Sequence, residues 1–391
     1  MIDRCILYEC IYIYTFIILN SMSRLILVAL FSFFSFLASS QYSSKGFNLD
    51  NLTFLDSTIT DYDLFLTAEW HWRSENTGRM KKMIEYLASN NSLNAIIVER
   101  SYDFGHWVNY FLETGDSLFL KEFLEIDNFF SVYHGVLLQD EYEFYCWLRR
   151  FKIQHNLSIR VIGIDLHAYW DEKPILWSFL KLVDQNPSLQ KPLKENVDLA
   201  VKLFSMKNVS IHTMLKWNRH LQSSALEMKI SDTVFLNFLF SLNQSVKYAH
   251  GGKFNYREKQ IAVNFLRYIE KGEKVFGQFG LGHNMLQPEY SERTIPFNFF
   301  MKPYRYNSFT YLLNQNDYYK GKILSIGRIC FDCKDIGPEY GKDISAPYVS
   351  DEAFIKLKPQ FENLPDNTII DLRGTKEKIT ENSQLLLLEF D

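Results

Sequence analysis

Short apolar runs bounded by polar turns recur along the chain, and between them apolar residues return at helical spacing. The runs are Leu64–Leu66, Asn94–Val98, Ile159–Ile164, Lys274–Phe279 and Ile323–Ile326. Runs this short, with little polar alternation, predict strands buried on both faces of a parallel sheet. Between the first two, Met80, Met83, Ile84 and Leu87 form one stripe of a helix over Asn76–Leu87. Between the second and third, Trp107–Leu112 and Val136–Phe151 read as helices, the latter with Leu138, Tyr142, Tyr145 and Leu148 on one side. Strands alternating with helices of this length predict βαβ units. The expected class is α/β, with a mostly parallel central sheet flanked by helices.

From about Pro174 to Ala249 the pattern turns helical, with Trp177, Leu180, Leu182, Val197, Leu199 and Leu203 among its apolar positions. No strand is readable there, so residues 174–250 are expected to form a helical insertion over the sheet. Arg257–Ile269 is a further amphipathic helix, feeding the strand that ends in Phe279-Gly280. After Asp332 the chain is loop-rich, with Pro338, Pro347, Pro359 and Pro365, and closes on apolar runs at Thr368–Asp371 and Leu385–Leu388.

Composition narrows the class. Of 391 residues, 47% are hydrophobic, and 33 Phe and 23 Tyr supply ample material for a core. The formal net charge of -4 offers no clustered excess of Lys and Arg, so a nucleic-acid-binding surface is not expected. At the start, Met22-Ser-Arg24 precedes an apolar run from Leu25 that ends in the small residues Ala38, Ser39 and Ser40. A basic start, an apolar middle and a small-residue end predict a secretory leader within residues 1–40, beginning at Met22. The mature part, 41–391, is then expected to be one exported, periplasmic or secreted domain without stable membrane insertion.

Three cysteines lie beyond that leader. Cys146 sits within an amphipathic helix and is expected to be packed. The Cys330-Phe-Asp-Cys333 pair fits a redox motif, half a zinc site or a local disulfide; in an oxidising compartment the disulfide is the expectation.

The chemistry-bearing residues gather at strand ends. The first strand leads into Thr67-Ala-Glu69-Trp-His71, with Ser74-Glu75-Asn76 opening the next helix. The second ends in Glu99-Arg100, the third in Asp165-Leu-His167, the fourth in Gly280-Leu-Gly282-His283. Ligands of open α/β sheets bind outside the carboxyl ends of the strands. Glu69 and His71 would point the same way along an extended segment, and such a carboxylate raises imidazole basicity and fixes its orientation. Glu99 closes a fully apolar run, where Arg100 or a histidine must compensate its burial. Asp165 has two readings, a helix cap or a partner for a basic residue. Gly280 and Gly282 around His283 permit a sharp turn and close backbone approach. His167, His106 and His134 read as surface or packing residues. No nucleophile elbow, phosphate-binding glycine loop or zinc-protease helix is present, so an activated water is the expected nucleophile.

The order Glu69-Trp-His71…Glu75-Asn76, a helix, then Ile96–Glu99 resembles the opening of the erythromycin-esterase-like proteins, which share a superfamily with ChaN-like haem-uptake proteins and Tiki metalloproteases. Tyr110–Asp116, Trp147–Arg149, Val161–Asp165, Arg257–Asn264 and Phe279–Asn284 follow in the same order, over roughly Leu64 to Gln287. The resemblance implies a metal-independent hydrolase in which His71 activates water, with Glu69, Glu75, Glu99 and His283 as the other catalytic positions. Arg257 matches an arginine that holds the polar network; Arg100 and Asp165 complete the substrate-binding side. The family's usual Gly-Glu-x-x-His-Gly departs here to Ala68-Glu69-Trp-His71-Trp72, which argues against a macrolide ester as substrate. Two alternatives stand beside the hydrolase: a ChaN-like haem or cofactor binder, and a Tiki-like peptidase with a divalent metal on His71, Glu99 and His283. The partner expected is a small molecule. Substrate identity and oligomeric state have no signal in the sequence.

Overall fold

The computed structural model describes residues 46–48, 52–56, 59–69, 75–91, 93–127, 135–167, 172–249, 254–286, 289–291, 304–331, 368–371 and 385–390. The expected leader, His71, Trp72, His134 and Cys333 lie outside these residues.

The sheet is built from β1 (Gly46–Asn48), β2 (Leu64–Glu69), β3 (Ala95–Val98), β4 (Arg160–Gly163), β5 (Val275–Gly280), β8 (Ile323–Phe331), β9 (Thr368–Asp371) and β10 (Leu385–Phe390). Their order across it is β1-β9-β10-β8-β2-β5-β3-β4. Every pairing from β10 to β4 is parallel, whereas β9 and β1 join antiparallel. A two-stranded ribbon, β6 (Glu289–Ser291) and β7 (Tyr304–Tyr306), lies outside it. The mostly parallel sheet matches the expected class. All five anticipated strands are present, and β8 runs on to Phe331, past the anticipated end at Ile326.

The helices are α1 (Glu75–Asn91), α2 (Tyr102–Thr114), α3 (Ser117–Ile126), α4 (Gly135–Gln154), α5 (Glu172–Gln185), α6 (Pro187–Gln190), α7 (Lys194–Phe204), α8 (Ile211–Glu227), α9 (Thr233–Ala249), α10 (Phe254–Tyr268) and α11 (Phe309–Asn314). The helical stretch expected from Pro174 is α5 to α9. An additional helix, α3, is started by Asp116, which accepts a hydrogen bond from the Phe119 amide at 2.9 Å. Side-chain oxygens at this position satisfy one of the donors a helix start leaves over.

Each central strand is apolar on both faces because both are covered. Phe65, Ile96, Val98, Val161 and Phe276 belong to one core with α1 to α9. Their neighbours Leu64, Leu66, Ala95, Ile97, Ile162 and Val275 belong to a second core with Ile261 and Phe265 of α10 and Phe309 and Leu313 of α11. The period of two along a strand places alternate residues in opposite cores.

The free edge of β4 is closed by a side chain. Asn109 of α2 donates to the Val161 carbonyl (2.6 Å) and accepts from the Val161 amide (2.8 Å), imitating a further strand. An unpaired edge is thereby removed. The helix must come very close to do this: a Cβ at Gly105 would lie 2.5 Å from the Gly163 nitrogen.

Candidate active site

Parallel register places the ends of four strands on one rim. Glu69 is opposite Gly280, and Val98 is opposite both Gln278 and Gly163. Beyond those points the chain delivers Glu99, Asp165 and His283 to the same edge, and α10 brings Arg257 and Glu258 across it.

Glu99 is the centre of the cluster. It accepts from Arg257 Nη2 at 2.8 Å and from the Gly280 amide at 3.1 Å, and its Oε1 lies 3.2 Å from His283 Nε2. Of the two compensating groups expected, Arg100 or a histidine, it is the histidine, His283, that meets Glu99. Arg100 instead faces Glu141 (3.5 Å) and Asp127 (4.0 Å), with its guanidinium over the Phe104 ring. The Gly280 amide that reaches Glu99 is the close backbone approach expected there. Gly280 has φ -50°, so the bend requires no left-handed backbone at this glycine.

Asp165 settles between its two readings as the partner of a basic residue. Its Oδ1 accepts from Arg257 Nε at 3.0 Å and its Oδ2 from Nη2, a two-point grip on the guanidinium. Burial works against a charge on Arg257, but Asp165 and Glu99 outweigh it and hold the group well above the usual arginine range. The guanidinium is therefore a fixed cation. Among the described residues, Nη1 has only the His283 Nε2 beside it, at 3.5 Å.

His283 is 4% exposed, and both of its ring nitrogens face carboxylates. Nε2 is near Glu99, and Nδ1 lies 2.9 Å from Oε1 of Glu258. A neutral imidazole carries one N–H, so facing two carboxylates favours the doubly protonated ring. Burial lowers the affinity for that proton, but the charges of Glu258 and Glu99 raise it further, to a pKa of about 10. His283 is then an imidazolium at neutral pH. With both ring nitrogens acting as donors, it cannot accept a proton from water, and its contact with Arg257 is one of like charges.

The turn carrying His283 is tied down by hydroxyls. Thr310 donates to the His283 carbonyl (2.6 Å), Ser325 to that of Asn284 (2.7 Å) and Ser308 to that of Met285 (2.5 Å). Phe279, Phe309 and Phe254 surround the ring at centroid distances of 6.1 to 6.3 Å.

Glu258 was not anticipated. It is fully buried and accepts from the Phe309 amide at 2.8 Å through its other oxygen. A signal existed: positions 258, 261, 262 and 265 form the apolar stripe of α10, and a carboxylate on such a stripe requires a buried partner. Glu141, also unanticipated, has its carboxyl pushed up by burial and by the nearby charge of Glu69, against the lowering effect of Arg100. Glu69 accepts from Gln278 Nε2 at 3.2 Å. Glu75 opens α1, and its side chain is outside the described set.

The structure thus joins Glu99, Asp165, Arg257 and His283 in one network, with Glu69 and Arg100 on the same rim. His167, expected at the surface or in packing, is buried and packed, with its Nε2 2.9 Å from Asp103 Oδ1. Cys146 is free and half-buried against the core, as a packed residue would be. Among the described residues no group of three or more His, Cys, Asp or Glu is arranged to hold a metal ion. His283, one of the three positions expected for a metal, has carboxylates on both ring nitrogens, and a cation near its Nε2 would meet the Arg257 guanidinium; His71 lies outside the described residues.

No protein-family model and no curated protein matches the chain. Solved structures do. A protein from Bacillus cereus superposes with a TM-score of 0.59 at 14% identity, over 88% of this chain and 92% of that one. A succinoglycan biosynthesis protein gives 0.57 at 13% identity, over 87% and 90%. A mutant of the erythromycin esterase EreC in its open conformation gives 0.55 at 11% identity, over 86% and 92%. ChaN of Campylobacter jejuni with cofacially bound haem reaches only 0.29 and carries no argument. At these identities the likeness is one of fold: the chain shares the α/β architecture of the erythromycin esterase EreC.

Proposed function

We propose that the chain is an exported hydrolase of the esterase type, in which His71 activates a water and Arg257 receives the developing negative charge on the substrate oxygen. The observation that carries this is the state of Arg257. Two carboxylates fix its orientation through Nε and Nη2, and Nη1 is left beside a like-charged ring. A substrate oxygen is the partner we assign to Nη1. Preorganised donors aimed at developing charge supply the largest single contribution to many hydrolytic reactions.

The division of labour follows from protonation. His283, facing carboxylates on both nitrogens, serves as a fixed charge that orients Glu99, so the proton acceptor must be another group. His71 is the candidate, with Glu69 two residues before it. The nucleophilic oxygen is that of water: it adds to the ester carbonyl as His71 takes its proton, and that proton passes to the departing alkoxide. The fold shared with an esterase is compatible with this assignment.

The test is turnover of a panel of simple aryl and alkyl esters by the purified chain, with and without chelator. We expect hydrolysis that survives chelation and falls by about 10²–10⁴-fold in His71→Ala, the usual contribution of a general base. A panel hydrolysed equally by wild type and His71→Ala, or silenced by chelator alone, would overturn the proposal.

A further inference from the structure

We infer that the buried pair Asp103–His167 is a positioning device that ties the helical insertion to the loop holding Asp165 against Arg257. It rests on Asp165 and Arg257 belonging to the site, as proposed above, and adds two residues outside it.

The pair lies where three pieces of the fold meet. Asp103 follows Glu99 by four residues on the first turn of α2, and His167 follows Asp165 by two. Nε2 and Oδ1 are 2.9 Å apart, and both side chains are 3% exposed. Between them the two loops are already close: the Asp165 amide donates to the Arg100 carbonyl at 2.8 Å. The Cβ that Gly163 lacks would lie 1.7 Å from the Ser101 carbonyl oxygen.

The insertion reaches the same point from both ends. On α5, Ser178 hydrogen-bonds Asp103 and accepts from Trp107 Nε1 at 3.0 Å. On α9, Ser245 accepts from the His167 amide at 2.9 Å and donates to the Ser241 carbonyl at 2.8 Å. Phe238 of α9 presents its ring to the imidazole at 6.4 Å, nearly perpendicular. Burial pushes the Asp103 carboxyl up, yet the charge of His167 and hydrogen bonds with His167, Ser178 and Ser101 leave it below the usual carboxylate range. Burying a carboxylate against an imidazole is costly unless their partners are well placed. Ordinary packing of α5 and α9 would not require it. A directional tie between the insertion and the Asp165 loop does.

The consequence is readable at His283 without any substrate. Its surrounding charges are Glu99, Glu258 and Arg257. If Asp165 withdraws from Arg257, Glu99 is drawn towards the guanidinium and the imidazolium loses part of its support. The His283 titration, followed by nitrogen-15 NMR of the ring, should then fall by at least about one unit in His167→Ala from its value of about 10. Asp63→Asn, at the opposite ends of the strands, should lower Tm and leave that titration in place. Asp103→Leu/His167→Leu provides the second variant: apolar replacement of a buried pair commonly restores stability, but it carries no directional contact. We expect it to recover Tm and still show the displaced His283 titration. A double variant with wild-type His283 titration would show that the pair only stabilises its surroundings, and the inference would fail. Should His167→Ala not fold, the double variant decides alone. Because no turnover is measured, this result is independent of whether the site hydrolyses esters.

Discussion

Arg257 carries five N–H donors in a rigid fork, and the structure commits Nε and Nη2 to Asp165 and Glu99. What remains on Nη1 is a charge-bearing donor next to His283, whose own charge is set by two carboxylates. The stability of the fold therefore depends on His283 keeping its proton. Its folded pKa, about 10, lies above the ordinary 6.5, so its contribution is complete below about pH 6.5 and is lost as pH rises through about 10. Thermal unfolding across that range should show Tm falling on the alkaline side. In Glu258→Gln, which removes the fully buried carboxylate, the fall should begin at lower pH. A flat alkaline profile in wild type would contradict the assignment of an imidazolium.

At the scale of elements, the strand ends were legible because burial on both faces leaves no other reason for Glu99, Asp165 or His283 to follow an apolar run. Glu258 and Asp103 were not singled out, since one charged residue in a helix reads as solvated until the stripe around it is seen to be buried. The partner of His167 was not legible, because Asp103 lies far from it in the chain. Short α3 was missed because Asp116 reads equally as a loop residue until its capping contact with Phe119 is seen. The contact of α2 with β4 gives an element-scale prediction. Gly163→Ala forces a methyl group into the Ser101 carbonyl and should cost about 1–3 kcal/mol, the usual range for overpacking. Urea unfolding measures it, and an unchanged midpoint would mean that the loops are not held as closely as described.

Across the whole molecule, the sheet separates two polar centres with different work. At the carboxyl rim stands the network around Glu99. At the opposite ends of the strands, Asp63 gathers Lys274 Nζ (2.8 Å), the Tyr318 hydroxyl (2.9 Å) and Lys322 Nζ (3.3 Å), joining the starts of β2, β5 and β8. Burial raises the Asp63 carboxyl, but hydrogen bonds from Lys274 and Tyr318 and the charge of Lys274 bring it below its ordinary 3.8. That contribution is present above about pH 3.8 and disappears as pH falls through the lower folded value. Asp63→Asn should accordingly lower Tm at neutral pH and narrow the difference from wild type in acid, measured by circular dichroism; a constant difference at all pH would argue against an ionic origin. The parallel sheet and the run of helices from α5 to α9 were readable from periodicity alone. The antiparallel edge of β1 and β9 was not, because strands of three and four residues carry too little pattern to fix a direction.

In the proposed reaction Arg257 is the group that meets charge on the substrate. Lysine at this position keeps a positive charge but lacks the fork that Asp165 and Glu99 hold. The most direct measurement is kcat for ester hydrolysis in Arg257→Lys against wild type, at substrate saturation. A loss of about 10²–10³-fold with the fold intact is expected, the usual cost of removing one donor to an oxyanion. An Arg257→Lys enzyme that turns over at the wild-type rate would contradict it.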